Sequence, residues 1–334
     1  MGQNIAMDLG TSTVLIYIKG KGVVLNEPSV LVVDKYTNKI IKVGREAQDL
    51  IGRAPENIEV VKPVREGVIS RYRHTMLMMQ KFLRKGCGKM ITPPNITIAV
   101  PSVITDVEEL AVRDAAVEAG AKDPLLIDEP VAAAIGAGID IMRPVGSMVV
   151  DIGGGTTDIA VISLGGAVLS TSVKTAGDAM TEAVMKYIKN RYSLLIGEHT
   201  AEEVKIKIGS VWRRDDLMTM NVKGKNINSG TPQSVELNSY DMTEALEDPI
   251  TKIIEAICSV IEKTPPELVS DIAKTGIVLT GGGCQIYGLD NLIKKVTGLP
   301  ARVAQSPETC VVIGAGRAVD IGLTADKGKY TNKN

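Results

Sequence analysis

The apolar residues of this chain fall into two kinds of run. Short runs rich in β-branched residues, bounded by glycine or polar turns, predict strands at 5–9, 14–18, 22–25, 29–34 and 40–43. Similar runs predict strands at 96–100, 125–127 and 276–280, and strands with polar turns over 211–237. Helical spacing predicts a short helix at 45–52 and a longer one over 66–85, on Val68, Ile69, Tyr72, Met76, Met79, Phe82 and Leu83. Pro55 and Pro63 break the stretch between those two. Thr105-Asp106-Val107-Glu108 reads as a capping box opening a helix to Gly120, and Thr200-Ala201-Glu202-Glu203 as a second one, ended by Gly209. Asp178 is expected to cap a helix to Arg191. Leu246, Ile250, Ile253, Ile254, Ile257, Val260 and Ile261 mark a long amphipathic helix, and another is expected at 288–296. Segments 131–138 and 310–322 read as helices of small residues able to pack closely, with 131–138 and 311–319 as candidate hinges. The polar, Lys-rich tail from Ala325 is expected to fray.

One local pattern occurs twice. Val149 and Val150 lead into Asp151, then Gly153-Gly154-Gly155-Thr156, then a return strand over 159–164. Ile5-Ala6-Met7 leads into Asp8, then Gly10-Thr11-Ser12-Thr13, then a return strand over 14–18. Each is a hairpin whose glycine turn lets backbone N–H groups line one concavity, which suits an anion. A carboxylate beside a phosphate would repel it unless a cation lies between. Asp8 and Asp151 therefore point to Mg²⁺, held through water as that ion usually is. The two aspartates lie a domain's length apart, so two similar halves can clamp one triphosphate from both sides. A third glycine turn, Gly281-Gly282-Gly283, follows the strand at 276–280. Neither G-x-x-x-x-G-K-[ST] nor G-x-G-x-x-G is present. Glu202 and Lys205, three apart, share one helix face.

Length and composition narrow the reading. At 334 residues, about two domains are expected. A net charge of −1 offers no basic field, and 3% aromatic residues offer no stacking platform, so no nucleic-acid partner is expected. Cys87, Cys258, Cys284 and Cys310 are far apart and form no C-x-x-C, which suits free thiols in a reducing cytosol. His74 and His199 are too few for a histidine metal site, and both are expected at the surface. No signal peptide, myristoylation motif or apolar run of membrane-spanning length is read in the chain.

The two acidic hairpins, two small-residue helices and late glycine turn resemble the actin-like ATPases, shared by actin, heat-shock chaperone ATPases and sugar kinases. Within them the chain resembles the MreB family, bacterial actins of cell shape, from about residue 4 to residue 323. The agreement is carried by KGKGVVLNEPSV at 19–30, EPVAAAIGAG at 129–138, DIGGGTTDIAVISLGG at 151–166, SLLIGEHTAEEVKIKIGS at 193–210 and GIVLTGGG at 276–283. The resemblance implies an α/β fold of two mixed-sheet halves around a nucleotide cleft. Domain I would span 1–143 and 316–334, with a small subdomain at about 32–66. Domain II would span 144–315, with a subdomain at about 179–246. It implies ATP and Mg²⁺ as ligands, Asp8 and Asp151 holding the metal through water, and Gly10 to Thr13 and Gly153 to Thr156 around the phosphates. Glu129 and Asp151 would act in hydrolysis, Glu129 by positioning the attacking water. Glu202 and Lys205 would touch ribose and adenine, and Gly281 to Gly283 would pass along the nucleoside. Filaments of the chain with itself, cell-wall synthesis or shape proteins, and a cytoplasmic site at the inner membrane face are implied as well. The family's membrane loop falls near Met90 and Ile91, flanked by Arg84, Lys85 and Lys89. Three places depart from the family: Ser12-Thr13-Val14 stand where DLGTANT has Ala-Asn-Thr, Asp128-Glu129-Pro130 stands for E-E-P, and Gly177 to Glu182 stands for G-D-x-M-D-E. A plasmid-partitioning actin and a small-molecule kinase share the fold, and the kinase lacks a clear additional aspartate here.

Overall fold

The computed structural model describes residues 4–90, 92–319, 323–326 and 329–332, without the side chains of the last two segments. Two five-stranded sheets form its frame. The first runs in the order Leu125–Asp128, Asn95–Val100, Asn4–Leu9, Thr13–Ile18, Gly22–Pro28. The second runs in the order Ala301–Val303, Ile277–Thr280, Ser147–Ile152, Thr157–Ser163, Gly166–Val173. Both have the same directions: each central strand is antiparallel to its hairpin partner and parallel to the strand on its other side. The outer pairs also match, antiparallel on the hairpin side and parallel on the other. The fold is a duplication, legible in the pairing as well as in the repeated acidic hairpin.

Alternation within the central strands decides what faces what. Ile5, Met7 and Leu9 join the outer core of the first sheet with Met78, Met79 and Phe82, while Ala6 joins the core between the sheets. Met148, Val150 and Ile152 likewise join the outer core of the second sheet, and Val149 the middle one. Asp8 follows the parity of Ala6, and Asp151 that of Val149. Both carboxylates thus lie on the inner faces, at the ends of equivalent strands.

The middle layer is a pair of helices. Glu129–Gly136 leaves the first sheet and packs on the second, and Cys310–Ala318 leaves the second and packs on the first. They cross where glycines remove the side chains. A methyl group on Gly136 would sit 2.5 Å from the carbonyl carbon of Cys310, and one on Gly314 would sit 2.6 Å from that of Ala132. The small-residue composition is thereby explained: each half sends its helix across to the other.

Two smaller modules complete the fold. Ile40–Val43, Leu31–Asp34 and Ile58–Val61 form a three-stranded sheet over the short helix Arg45–Gln48. Leu194–Leu195, Thr219–Asn226 and Pro232–Asn238 form another beside Gly177–Tyr192, Glu198–Ile208 and Ser239–Ala245. The long amphipathic helix is Glu247–Lys263, and the sequence reading missed the helix Pro266–Thr275 after it.

Several local expectations are corrected. The helix expected from 66 begins at Tyr72, because Glu66 and Gly67 take left-handed backbone and fold Val64–Arg65 against Val68–Ile69. Thr105 and Glu108 do form a capping box, but Thr200 lies inside its helix, whose N-cap is Gly197. His74 is buried, with Nε2 3.2 Å from Oδ1 of Asn38, and burial pulls its pKa down. In the tail expected to fray, Leu323–Asp326 pairs with Lys329–Asn332, while 327–328 and 333–334 lie outside the described residues. The four cysteines are free thiols.

Candidate functional site

The two glycine turns meet. A methyl group on Gly154 would lie 2.6 Å from Cβ of Ser12, and one on Gly155 would lie 2.9 Å from Cβ of Thr11. Neither position tolerates a side chain. Gly10 is similarly closed, 2.8 Å from the Thr13 carbonyl oxygen. Thr13 opens the return strand and is exposed. In the second turn the Gly153 N–H donates to the Thr156 carbonyl at 2.9 Å, and buried Thr156 ends the turn.

The turn is held from behind by a helix. The N–H groups of Gly177 and Asp178 donate to the carbonyls of Gly153 and Gly154 at 3.1 and 2.8 Å. Helix starts leave such donors open, and here loop carbonyls satisfy them. The N-cap is therefore Ala176 with no side-chain cap, which corrects the role expected for Asp178. Its carboxylate instead accepts from the Ser12 hydroxyl at 2.9 Å, tying the two turns together. Ser12 supplies that donor.

Below the turns lies an acidic floor. Burial pushes Asp8 and Asp151 up to about 7, although Thr280 Oγ1 donates to Asp151 Oδ1 at 2.6 Å and opposes the shift. Glu129 opens the crossing helix beside them, and burial first, then Asp158, Asp8, Asp151 and Asp128, holds its carboxyl well above the usual range. Asp158 is a residue the sequence reading did not single out. The signal was present: a hairpin pairing Ile152 with Thr157 sets Asp158 opposite Asp151 on the same face. It is wholly buried, and burial pushes it up to about 6. Its Oδ1 accepts from the Ser102 N–H at 3.1 Å, across from the first sheet, and this bond and the nearby Ser172 and Thr156 hydroxyls oppose the shift without cancelling it.

This floor makes the chain's stability pH-dependent. A carboxylate whose pKa is raised on folding contributes stability that is full below about pH 4 and lost as pH climbs through the folded value. For Asp158 the loss spans pH 4 to 7. In protein free of nucleotide and metal, Asp158→Asn is expected to gain about 1–3 kcal/mol over the parent at pH 8 and to lose that advantage near pH 4. Urea midpoints at the two pH values measure it; parallel pH profiles for parent and variant would refute the burden placed on Asp158.

The remaining site residues gather on the second half. Gly281 and Gly283 press on the end of the central strand, where a methyl on either would meet Ile152. Gly282 points into open space. Lys205 is buried, and its ammonium donates to the Gly177 carbonyl at 2.9 Å, to Thr181 Oγ1 at 3.0 Å and to Glu202 at 2.6 Å. These partners commit the ammonium to joining two helices. Glu202 keeps 42% of its side chain exposed and is the member of the pair with surface left for a ligand.

The MreB/Mbl protein profile matches residues 2–325 of this chain. The chain belongs to the MreB/Mbl family. The cell shape-determining protein Mbl of Bacillus subtilis is 45% identical over 319 residues, covering 95% of this chain and 96% of that one. MreB5 of Spiroplasma citri bound to AMPPNP superposes with a TM-score of 0.92 at 35% identity, covering 96% of both chains. The same protein bound to ADP superposes at 0.90, covering 96% of this chain and 99% of that one. The duplicated sheets and crossed helices are the actin-like ATPase fold. Membership in the MreB/Mbl family places this chain among cytoskeletal proteins named for determining cell shape.

Proposed function

We propose that this chain binds ATP with Mg²⁺, hydrolyses it to ADP and phosphate, and polymerises into filaments at the inner face of the cell membrane that help set cell shape. The observation that carries the reading is the meeting of two glycine turns, one from each duplicated sheet, over a floor of carboxylates with raised pKa values. Such a floor is unfavourable alone and favourable beside a cation. Asp158 and the facing Asp151, both buried with raised pKa values, fit that requirement. Asp8 and Asp151 would hold Mg²⁺ through water, and the ion would neutralise charge on the phosphates.

The chain's own residues do the rest. The turns Gly10–Thr13 and Gly153–Thr156 bind the phosphates from opposite halves. Glu129 orients a water and accepts its proton at a carboxylate oxygen. Glu202, steadied by Lys205, and Gly281–Gly283 border the nucleoside. Domains I (1–143 with 316–334) and II (144–315) are the bodies that close on it, joined by the crossed helices. Nucleotide-bound MreB5 structures, with AMPPNP and with ADP, support this reading. At the membrane the candidate contact is the loop at Met90 and Ile91. Met90 is half-buried against the outer core of the first sheet, and Ile91 lies outside the described residues. Among the described residues no helix is long and apolar enough to cross a membrane.

The test is sedimentation and electron microscopy with Mg·ATP, with and without anionic vesicles. The parent is expected to form filaments and to pellet with the vesicles, and Met90→Ser/Ile91→Ser to keep filaments but lose the vesicles. Asp151→Ala is expected to weaken Mg·ATP binding at least about tenfold, the loss of one charge-assisted contact. A chain that stays monomeric with Mg·ATP, or an Asp151→Ala variant that binds it as the parent does, would overturn the reading.

A further inference from the structure

The short hairpin Val64–Arg65/Val68–Ile69 contributes none of the floor carboxylates, yet its tip reaches both glycine turns. The Gly67 N–H donates to Thr11 Oγ1 in the first turn at 2.9 Å. A methyl group on Gly155, in the second turn, would lie 3.0 Å from Cα of Glu66. A methyl on Gly67 would lie 2.7 Å from Cγ of Pro101 and 3.1 Å from Cγ2 of Thr156. The carbonyl of Pro63 anchors the hairpin's base, accepting from the N–H groups of Ser70 and Arg71 at 2.9 and 3.1 Å. The tip is therefore wedged between the turns on a fixed stalk.

Glu66 itself sits at φ 49°, in the left-handed region. A turn that needed only that conformation is served by glycine or asparagine without the steric cost a glutamate carries there. What glutamate adds is a carboxylate, and that carboxylate pairs with Lys174 at 2.8 Å. Glu66 belongs to the first half, whereas Lys174 directly follows the edge strand Gly166–Val173 of the second. Glu108, also of the first half, adds its charge near the same lysine. The pair spans the cleft at the turns, where Ser12 and Asp178 span it as well.

We propose that the Glu66–Gly67 tip is a brace across the cleft: its ion pair with Lys174 keeps the two glycine turns closed on the phosphates of a bound nucleoside di- or triphosphate and so slows its departure. Glu66 is a positioning residue, acting through the turns without touching the reacting atoms. The inference rests on the nucleotide reading of the site. Opening the halves must break the pair, so the brace acts on dissociation more than on association.

The experiment is release of a fluorescent ADP analogue, chased with excess ATP, from protein held below its polymerising concentration. Both side chains are more than half exposed, at 57% and 68%, so their replacement leaves the core untouched. Glu66→Lys, which sets like charges face to face, is expected to speed release about fivefold, the upper range for an exposed pair. Glu66→Lys/Lys174→Glu is expected to return the rate to within about twofold of the parent, less than fully because Glu108 still faces position 174. Added salt should speed release from the parent but not from Glu66→Gln. Release from Glu66→Lys at the parent's rate, or a double variant as fast as the single one, overturns the brace while leaving nucleotide binding intact. A parent that retains no analogue overturns the nucleotide reading instead.

Discussion

Glu129→Ala is expected to slow phosphate release about a hundredfold while ATP still binds, the lower range for losing a positioned proton acceptor. The carboxylate stands at the first turn of the crossing helix, whose backbone is fixed by packing on the second sheet. Removing the side chain therefore subtracts chemistry without disturbing the scaffold. Four other carboxylates, Asp158, Asp8, Asp151 and Asp128, push its pKa up after burial does, so Glu129 can serve as a proton acceptor only once a cation beside them offsets their charge and leaves it ionised. Their repulsion also means that the nucleotide-free variant should be no less stable than the parent. Single-turnover phosphate release, read beside a nucleotide-binding titration, separates the two effects. Unchanged release would remove Glu129 from the mechanism.

The second large effect is structural. Gly314→Ala is expected to destabilise the chain by about 3 kcal/mol, measured by urea unfolding. The sign is diagnostic, because alanine in place of a helical glycine ordinarily stabilises by up to about 1 kcal/mol. Here the added methyl would meet the carbonyl carbon of Ala132 at 2.6 Å and the Gly136 nitrogen at 2.8 Å, and both are backbone atoms that cannot swing away. Forcing the helices apart also loosens the core between the two sheets. Gly282→Ala is the control: no atom lies within 4 Å of its methyl, so stability should change by less than about 0.5 kcal/mol. A Gly314→Ala protein as stable as the parent would show that the helices cross with room to spare.

The hairpins at Asp8 and Asp151 were legible because strand, glycine turn and return strand are fixed by neighbours a few residues apart. The capping box at Thr105 was legible for the same reason, and the identical motif letters at Thr200 misled. A cap exists only where the helix begins, and Gly197 begins that helix a turn of chain earlier. The helix expected from 66 failed similarly. Val68, Ile69 and Tyr72 have helical spacing, but a two-residue strand pair half-buries the first two as well, and the left-handed backbone at Glu66 and Gly67 decides for the hairpin.

By itself the sequence determined the local geometry and the chemistry: two acidic glycine hairpins, a late glycine turn, free thiols, and two helices of small residues. Period-two burial then put Asp8 and Asp151 on inner faces, because a strand's side chains alternate whatever surrounds it. Only the tertiary structure decided which groups meet. That Ser12 finds Asp178, Ser102 finds Asp158 and Glu66 finds Lys174 depends on contacts between residues distant in the chain, and no local pattern encodes a partner. The same holds for the exchange of helices between the sheets. Glycines at 136 and 314 announce a close approach, but what approaches is set by the packing of one half on the other, where the absence of two methyl groups lets backbone rest on backbone.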